Sequence, residues 1–247
     1  MSIYAIFGAS GGIGSYLASS LSKKGHTVYL LGRHEEKLIP LAQQLSQPFK
    51  IVDPHSDEAV ANVLKQILSE QGSLAGVASC IGSFFIKPLH MTSVSEFKEV
   101  LQTNLISSFT ILKSACHLLS EQKKGSIVLC SSTAALAGLS NHEAISAAKG
   151  AIASMVRSAA ASYASKGVRV NAVAPGLTRT PLAHSITSSE ISLKASTAFH
   201  PIGRIGEASD VANAIEWLLN ENSSWITGDV IAVDGGLSSL RTKMSPS

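Results

Sequence analysis

Residues 8–14 read GASGGIG, directly after a short apolar run, SIYAIF at 2–7, and at the head of a stretch with helical periodicity near 12–24. Glycines at 8, 12 and 14 permit a tight turn and let the backbone come close to a pyrophosphate, which then rests on the helix N-terminus. A glycine-rich turn alone is a weak signal; strand before and helix after, within a βαβ unit, give it the context that such a match requires. The spacing here is G-x-x-x-G-x-G. Gly8, Ser10, Gly12, Ile13 and Gly14 are therefore candidate phosphate-side residues.

Outward from this loop, short β-branched or apolar runs recur at 2–7, 26–31, 49–52, 74–80, 126–130, 168–173 and 229–233, with helical patterns near 12–24, 35–46, 57–70, 96–119, 144–165 and 209–220. The fourth helix opens with Ser93-x-x-Glu96, a capping-box spacing. Alternating strands and helices imply parallel strands joined by right-handed crossovers. Continuous apolar strands imply helices on both faces. The expectation is an α/β fold, a Rossmann-type doubly wound parallel sheet of about seven strands. With no repeat or linker in sight, 1–247 reads as one domain, its tail RTKMSPS loose.

The second strand runs into LLGRHEEK. A chain selecting NAD usually places a carboxylate here for the ribose 2′-hydroxyl. Gly32 and Arg33 stand here instead, and a guanidinium grips phosphate oxygens bidentately, so NADP is the expected cofactor and NAD the alternative. With a net charge of only +3 and basic residues scattered, nucleic acid and anionic membrane are poor candidates for a partner. Cys80, Cys116 and Cys130 lack Cys-x-x-Cys spacing and read as buried free thiols, and no metal site is expected. MSIYAIFGAS carries no signal-peptide pattern, and no run approaches the roughly 18 apolar residues of a membrane helix. A cytoplasmic location is expected.

From residue 3 to about 237 the chain resembles the short-chain dehydrogenase/reductase family. Gly8 to Gly14 match its glycine loop, with Phe7 where a threonine is usual. Asp53 resembles the acidic residue near the adenine. SCIG at 79–82 stands in the place of Asn-Asn-Ala-Gly and keeps only Gly82. Asn104 in QTNLISSF resembles the asparagine that holds a water beside the active lysine. Pro175 and Gly176 match the segment lining the nicotinamide, and Thr180 the position that touches its carboxamide or phosphate. ITGDVIAVDGG at 226–236 resembles the family's last strand.

The resemblance implies a Ser, a Tyr and a Lys that carry the chemistry. The tyrosine exchanges a proton with the substrate oxygen, the lysine holds the ribose and lowers the tyrosine pKa, and the serine hydrogen-bonds the substrate. Ser132 falls at the serine position and Lys149 at the lysine. Counting thirteen residues on from Ser132, or four back from Lys149, the tyrosine position is Ile145. Tyr4, Tyr16, Tyr29 and Tyr163 are all more than two turns away. An alkyl group cannot move a proton. His142, three residues earlier on roughly the same face, is a candidate donor because imidazole titrates near neutrality; water ordered by Asn104 and Lys149 is another.

Two expectations stand side by side. One is an NADP-dependent oxidoreductase for a carbonyl or alcohol with a proton donor other than tyrosine, its catalytic candidates Ser132, Lys149, Asn104 and His142. The other is a catalytically silent dinucleotide-binding sensor or partner subunit. The resemblance further implies a homo-oligomer, tetramer or dimer, built on the helices near 96–119 and 144–165 and on the last strand. A substrate lid for a small molecule is expected at about 181–201.

Overall fold

The computed structural model describes residues 1–241; the expected tail lies outside the described residues apart from Arg241. The strands are β1 (Ile3–Phe7), β2 (Thr27–Gly32), β3 (Phe49–Ile51), β4 (Gly76–Ser79), β5 (Gly125–Cys130), β6 (Val168–Pro175), β7 (Thr178–Arg179), β8 (Gly206–Glu207) and β9 (Val230–Val233). Seven of them form one parallel sheet in the order β3-β2-β1-β4-β5-β6-β9. This is the doubly wound α/β architecture that the alternation of elements implies.

Side chains of β1 alternate between two cores: Ile3, Ala5 and Phe7 enter one, Tyr4 and Ile6 the other. That is why its run is apolar throughout. The first core is closed by α3 (Asp57–Gln71), α5 (Ser107–Gln122) and α6 (Glu143–Tyr163), which supply Leu64, Ile111 and Ile152. The second is closed by α1 (Gly12–Lys23), α2 (Glu35–Leu45) and α9 (Ala208–Leu219), which supply Leu17, Leu38 and Ile215.

The helix expected over 96–119 is two helices. α4 (Val94–Leu101) starts with the Ser93–Glu96 capping box, and a π-helical turn at Gln102–Ile106 joins it to α5. Asn104 sits in that turn, where its Nδ2 donates to the Val100 carbonyl at 2.9 Å. The side chain thus takes an oxygen that the α-helical ladder would satisfy from the backbone of residue 104, and the turn widens. Residues 181–201 hold a 3₁₀ turn at Pro181–Ala183, α7 (His184–Thr187) and α8 (Glu190–Ala198), and β7 and β8 pair at the base of this segment.

Candidate active site

Strand order reverses between β1 and β4, so the crevice outside their carboxyl ends is where such a sheet receives a ligand. Gly8 turns at φ +74°, and a Cβ on Gly14 would lie 2.3 Å from the Gly8 carbonyl oxygen. Only glycine lets α1 begin this close to the loop. The N-cap of α1, Gly11, has no side chain to cap it, and its first turn holds no acid, so neither compensates its positive end.

The loop lines a cavity of about 230 Å³, with Gly8, Ser10, Gly12 and Ile13 on one wall and Arg33 and Gly82 on others. Gly14 packs behind. Arg33 is exposed at the end of β2 and has no carboxylate partner among the described residues. Asp53 is also exposed, and its Oδ1 accepts from the His55 amide at 3.1 Å. Its neighbours Val52 and Pro54 line the cavity; Asp53 does not.

A second cavity of about 580 Å³ shares Ile13, Cys80, Ile81, Gly82, Thr180 and Leu182 with the first, so the two form one channel across the strand ends. Thr180 is packed on the glycine loop: a Cβ on Gly12 would lie 2.8 Å from its Cγ2. Pro175 and Gly176, where β6 ends, form another wall, and much of the rest is apolar, including Phe84, Phe85, Leu177 and Ile186.

Ser132, His142 and Lys149 all border this cavity. Ser132 is half-buried just beyond β5, its Oγ accepting from the Ala134 amide at 3.2 Å. Lys149 is 5% exposed, and its Nζ donates to the Cys130 carbonyl at 2.9 Å and to the Ile81 carbonyl at 3.4 Å. Burial pulls its pKa down to about 8. Gly82 admits this approach, since a Cβ there would lie 3.3 Å from Nζ and 3.4 Å from the Asn104 Oδ1. Asn104 itself is fully buried and not on the cavity wall; its Oδ1 accepts from the Ser83 amide and its Nδ2 also donates to the Ser83 hydroxyl. It fastens the loop after β4.

Ile145 is 7% exposed, packed with Val100, Ala134, Ala144 and Ala148, and forms part of the cavity wall. His142 is the N-cap of α6, half-buried, with Nδ1 at 2.7 Å from the Ser140 carbonyl. A carbonyl only accepts, so Nδ1 is assigned the hydrogen and Nε2 is the free nitrogen.

Sequence reasoning missed a second imidazole. His200, 4% exposed, borders the same cavity, with Nδ1 at 2.8 Å from the Ser196 carbonyl and Nε2 buried without a partner. A Cβ on Gly176 would stand 2.8 Å from that Nε2. No local pattern marks a lone histidine before a proline; only the fold brings it here. Among the described residues no cluster of metal-ligating side chains occurs, and no helix is long and apolar enough to cross a membrane.

Comparison with known proteins places this geometry. A family model described as enoyl-(acyl carrier protein) reductase matches residues 8–238. The cis-4-hydroxycyclohexanecarboxylate dehydrogenase of Sinomonas cyclohexanicum is 33% identical, over 95% of this chain and 96% of its own. A short-chain type dehydrogenase/reductase from Mycobacterium ulcerans superposes with a TM-score of 0.92 at 30% identity, covering 96% of this chain and 90% of that one. ElxO, solved with NADP bound, has a TM-score of 0.90 at 29% identity, covering 97% and 99%; a tyrosine-to-phenylalanine variant of ElxO has been solved with NADPH bound.

Proposed function

The chain belongs to the short-chain dehydrogenase/reductase family, a family of NAD(P)-dependent oxidoreductases, and from that premise we propose that it interconverts a carbonyl and an alcohol with NADP(H), using a proton donor other than tyrosine. The observation that carries this reading is Lys149: an ammonium held between two carbonyls at the strand ends, beside Ser132, in a largely apolar cavity. Burying that charge costs the fold, and among the described residues it meets no carboxylate, the pattern that marks a functional-site residue.

The residues present suit the dinucleotide. The uncapped end of α1, with Gly8, Ser10, Gly12, Ile13 and Gly14, would hold the diphosphate. The unpaired guanidinium of Arg33 suits a 2′-phosphate and favours NADP over NAD. Asp53, between the wall residues Val52 and Pro54, would lie on the adenine side, Gly82 and Lys149 would meet the inner ribose, and Pro175, Gly176 and Thr180 would line the nicotinamide. The NADP bound to ElxO supports the choice. When bound, the cofactor supplies or accepts the hydride.

The chain's own groups then have distinct tasks. Ser132 donates to the substrate oxygen, Lys149 orients the sugar, and Asn104 is a positioning residue that fixes the loop bearing Gly82. His142 moves the proton at Nε2, the nitrogen its bond to Ser140 leaves free. Residues 181–201 form the substrate lid of a single domain, and the apolar wall excludes water. The substrate is a small molecule, and the assembly is a cytoplasmic homo-oligomer, dimer or tetramer.

One observation favours a silent dinucleotide-binding protein instead: Ile145 is packed into a small apolar core of its own, as a wall rather than a reactive group. Single-turnover absorbance of the nicotinamide, with wild type and a panel of carbonyls and alcohols, separates the two. The enzyme reading expects hydride transfer, slowed by His142→Ala by about 10²–10⁴-fold. NADPH binding without transfer to any member of the panel, with transfer appearing only in Ile145→Tyr, would establish the silent reading.

A further inference from the structure

β4 and β5 run parallel in register, Ser79 opposite Leu129, and the next residue on each is a cysteine, Cys80 and Cys130. Adjacent strands lie about 4.8 Å apart, inside the Cα separation of about 4.4–6.8 Å that a disulfide spans. Cys80 stays in the sheet's pattern, its amide donating to the Phe7 carbonyl at 2.9 Å. Both side chains leave on one face, against the core that contains Ala78 and Val128. The two thiols are near neighbours, and with Lys149 close by the pair favours the Cys130 thiolate while Cys80 is held as a thiol. Its Nζ donates to the Cys130 carbonyl and to that of Ile81, the residue after Cys80, so one cation ties together both strand ends that bear sulfur.

We propose that Cys80 and Cys130 are a redox-active dithiol, oxidised by hydroperoxides to a disulfide that closes the dinucleotide channel at its midpoint. Cys80 and Cys130 both border the larger cavity, and Cys80 the smaller one as well, so a small oxidant reaches the pair along the channel and a bound dinucleotide covers it. In the first step Cys130, its thiolate favoured by the neighbouring Cys80 and Lys149, attacks the peroxide; an S–O bond forms, the O–O bond breaks, and the released hydroxide takes up the proton that Cys130 gave up and leaves as water. Cys80 then attacks that sulfur, the S–S bond forms and a second water leaves. Two thiols lose two electrons and two protons, and one hydrogen peroxide becomes two waters.

The consequence for binding follows from contact. A Cβ on Gly8 would lie 3.1 Å from the Cys80 carbonyl carbon, so the strand end that a disulfide must pull is already packed on the glycine loop. Lys149 bonds the Cys130 carbonyl, so the same pull moves the ammonium. The third thiol, Cys116, belongs to α5 in the opposite core, where burial pushes it up to about 12 and keeps it inert.

The experiment uses the reduced full-length chain and hydrogen peroxide, with peptide mass spectrometry under non-reducing conditions. A linked Cys80–Cys130 peptide is expected within one chain, together with a loss of NADPH affinity of tenfold or more that dithiothreitol reverses. Saturating NADPH, added first, is expected to slow formation of the link at least tenfold. Both cysteines remaining free thiols, or any link made instead through Cys116 or between chains, overturns the proposal, as does an oxidised pair with unchanged NADPH affinity. The link is read on the wild-type chain without cofactor, so failure of the reduced protein to bind NADPH would sink the oxidoreductase reading while leaving the disulfide to be scored by itself.

Discussion

Lys149 is where local chemistry and function meet most closely. Lowering its pKa from 10.5 to about 8 corresponds to about 3 kcal/mol for holding the charge buried at neutral pH. The folded-state value is the lower one, so this penalty is fully present below pH 8 and fades as pH rises from about 8 toward 10.5. Lys149→Met should therefore keep or raise the melting temperature while removing most NADPH affinity, as calorimetry and cofactor titration would show; a variant that unfolds while wild type stays stable would make the residue structural. The same titration predicts that wild-type NADPH affinity falls above pH 8, by up to about tenfold per pH unit, and that Lys149→Met loses this slope. A wild-type dissociation constant that stays flat from pH 7 to 10 contradicts the role. At this scale the family resemblance pointed to Ser132, Ile145 and Lys149, and the structure sets all three on one cavity; α6 fixes the spacing of Ile145 and Lys149, while Ser132 lies before that helix, just beyond β5. His200 was not legible, since its place beside Gly176 depends on the path of α8, and no periodicity encodes it.

Elements show why glycine matters at one site and not another. Gly14→Ala would force a methyl to 2.3 Å from the Gly8 carbonyl oxygen, and the backbone on both sides must give. A loss of about 1–3 kcal/mol in urea unfolding and a weakened NADPH site are expected. Gly138→Ala, on the rim of the larger cavity with no atom within 4 Å of its added Cβ, should leave stability unchanged. Equal losses in both would show that the close approach at α1 carries no special weight. Sequence patterning located the seven sheet strands to within two or three residues; the central β1, β4 and β5 are almost wholly buried between the two helical layers, while β3 and β9 at the sheet's edges are only partly covered. It could not reveal the break at Gln102–Ile106, because Val100, Leu101 and Ile111 keep a helical rhythm while Asn104 redirects one carbonyl. Nor could it resolve α7 and α8, whose polar and apolar residues are mixed; those helices have no fully buried face of their own.

At the scale of the whole molecule, two surfaces are too apolar for a lone chain. β9 is as apolar as β5, yet it is only half-buried at the edge of the sheet, while β5 is buried along nearly its whole length. Edge strands are normally covered or guarded by charge. Beside β9, Trp225 is 99% exposed and Trp217 44%. On the other side of the sheet, Ile106 and Phe109, one helical turn apart at the start of α5, are 38% and 50% exposed. The proposed assembly buries both surfaces, each across its own two-fold axis, since a surface that meets its own copy closes as a dimer and two such surfaces make a tetramer. Placing a carboxylate in either seam leaves an unpaired charge where the partner's apolar side chains meet it. Sedimentation velocity is accordingly expected to find a tetramer for wild type, dimers for Trp225→Glu and for Phe109→Glu, and a folded monomer for the double variant. A wild-type chain that sediments as a monomer at micromolar concentration would mean that the exposed tryptophan serves something other than a second copy.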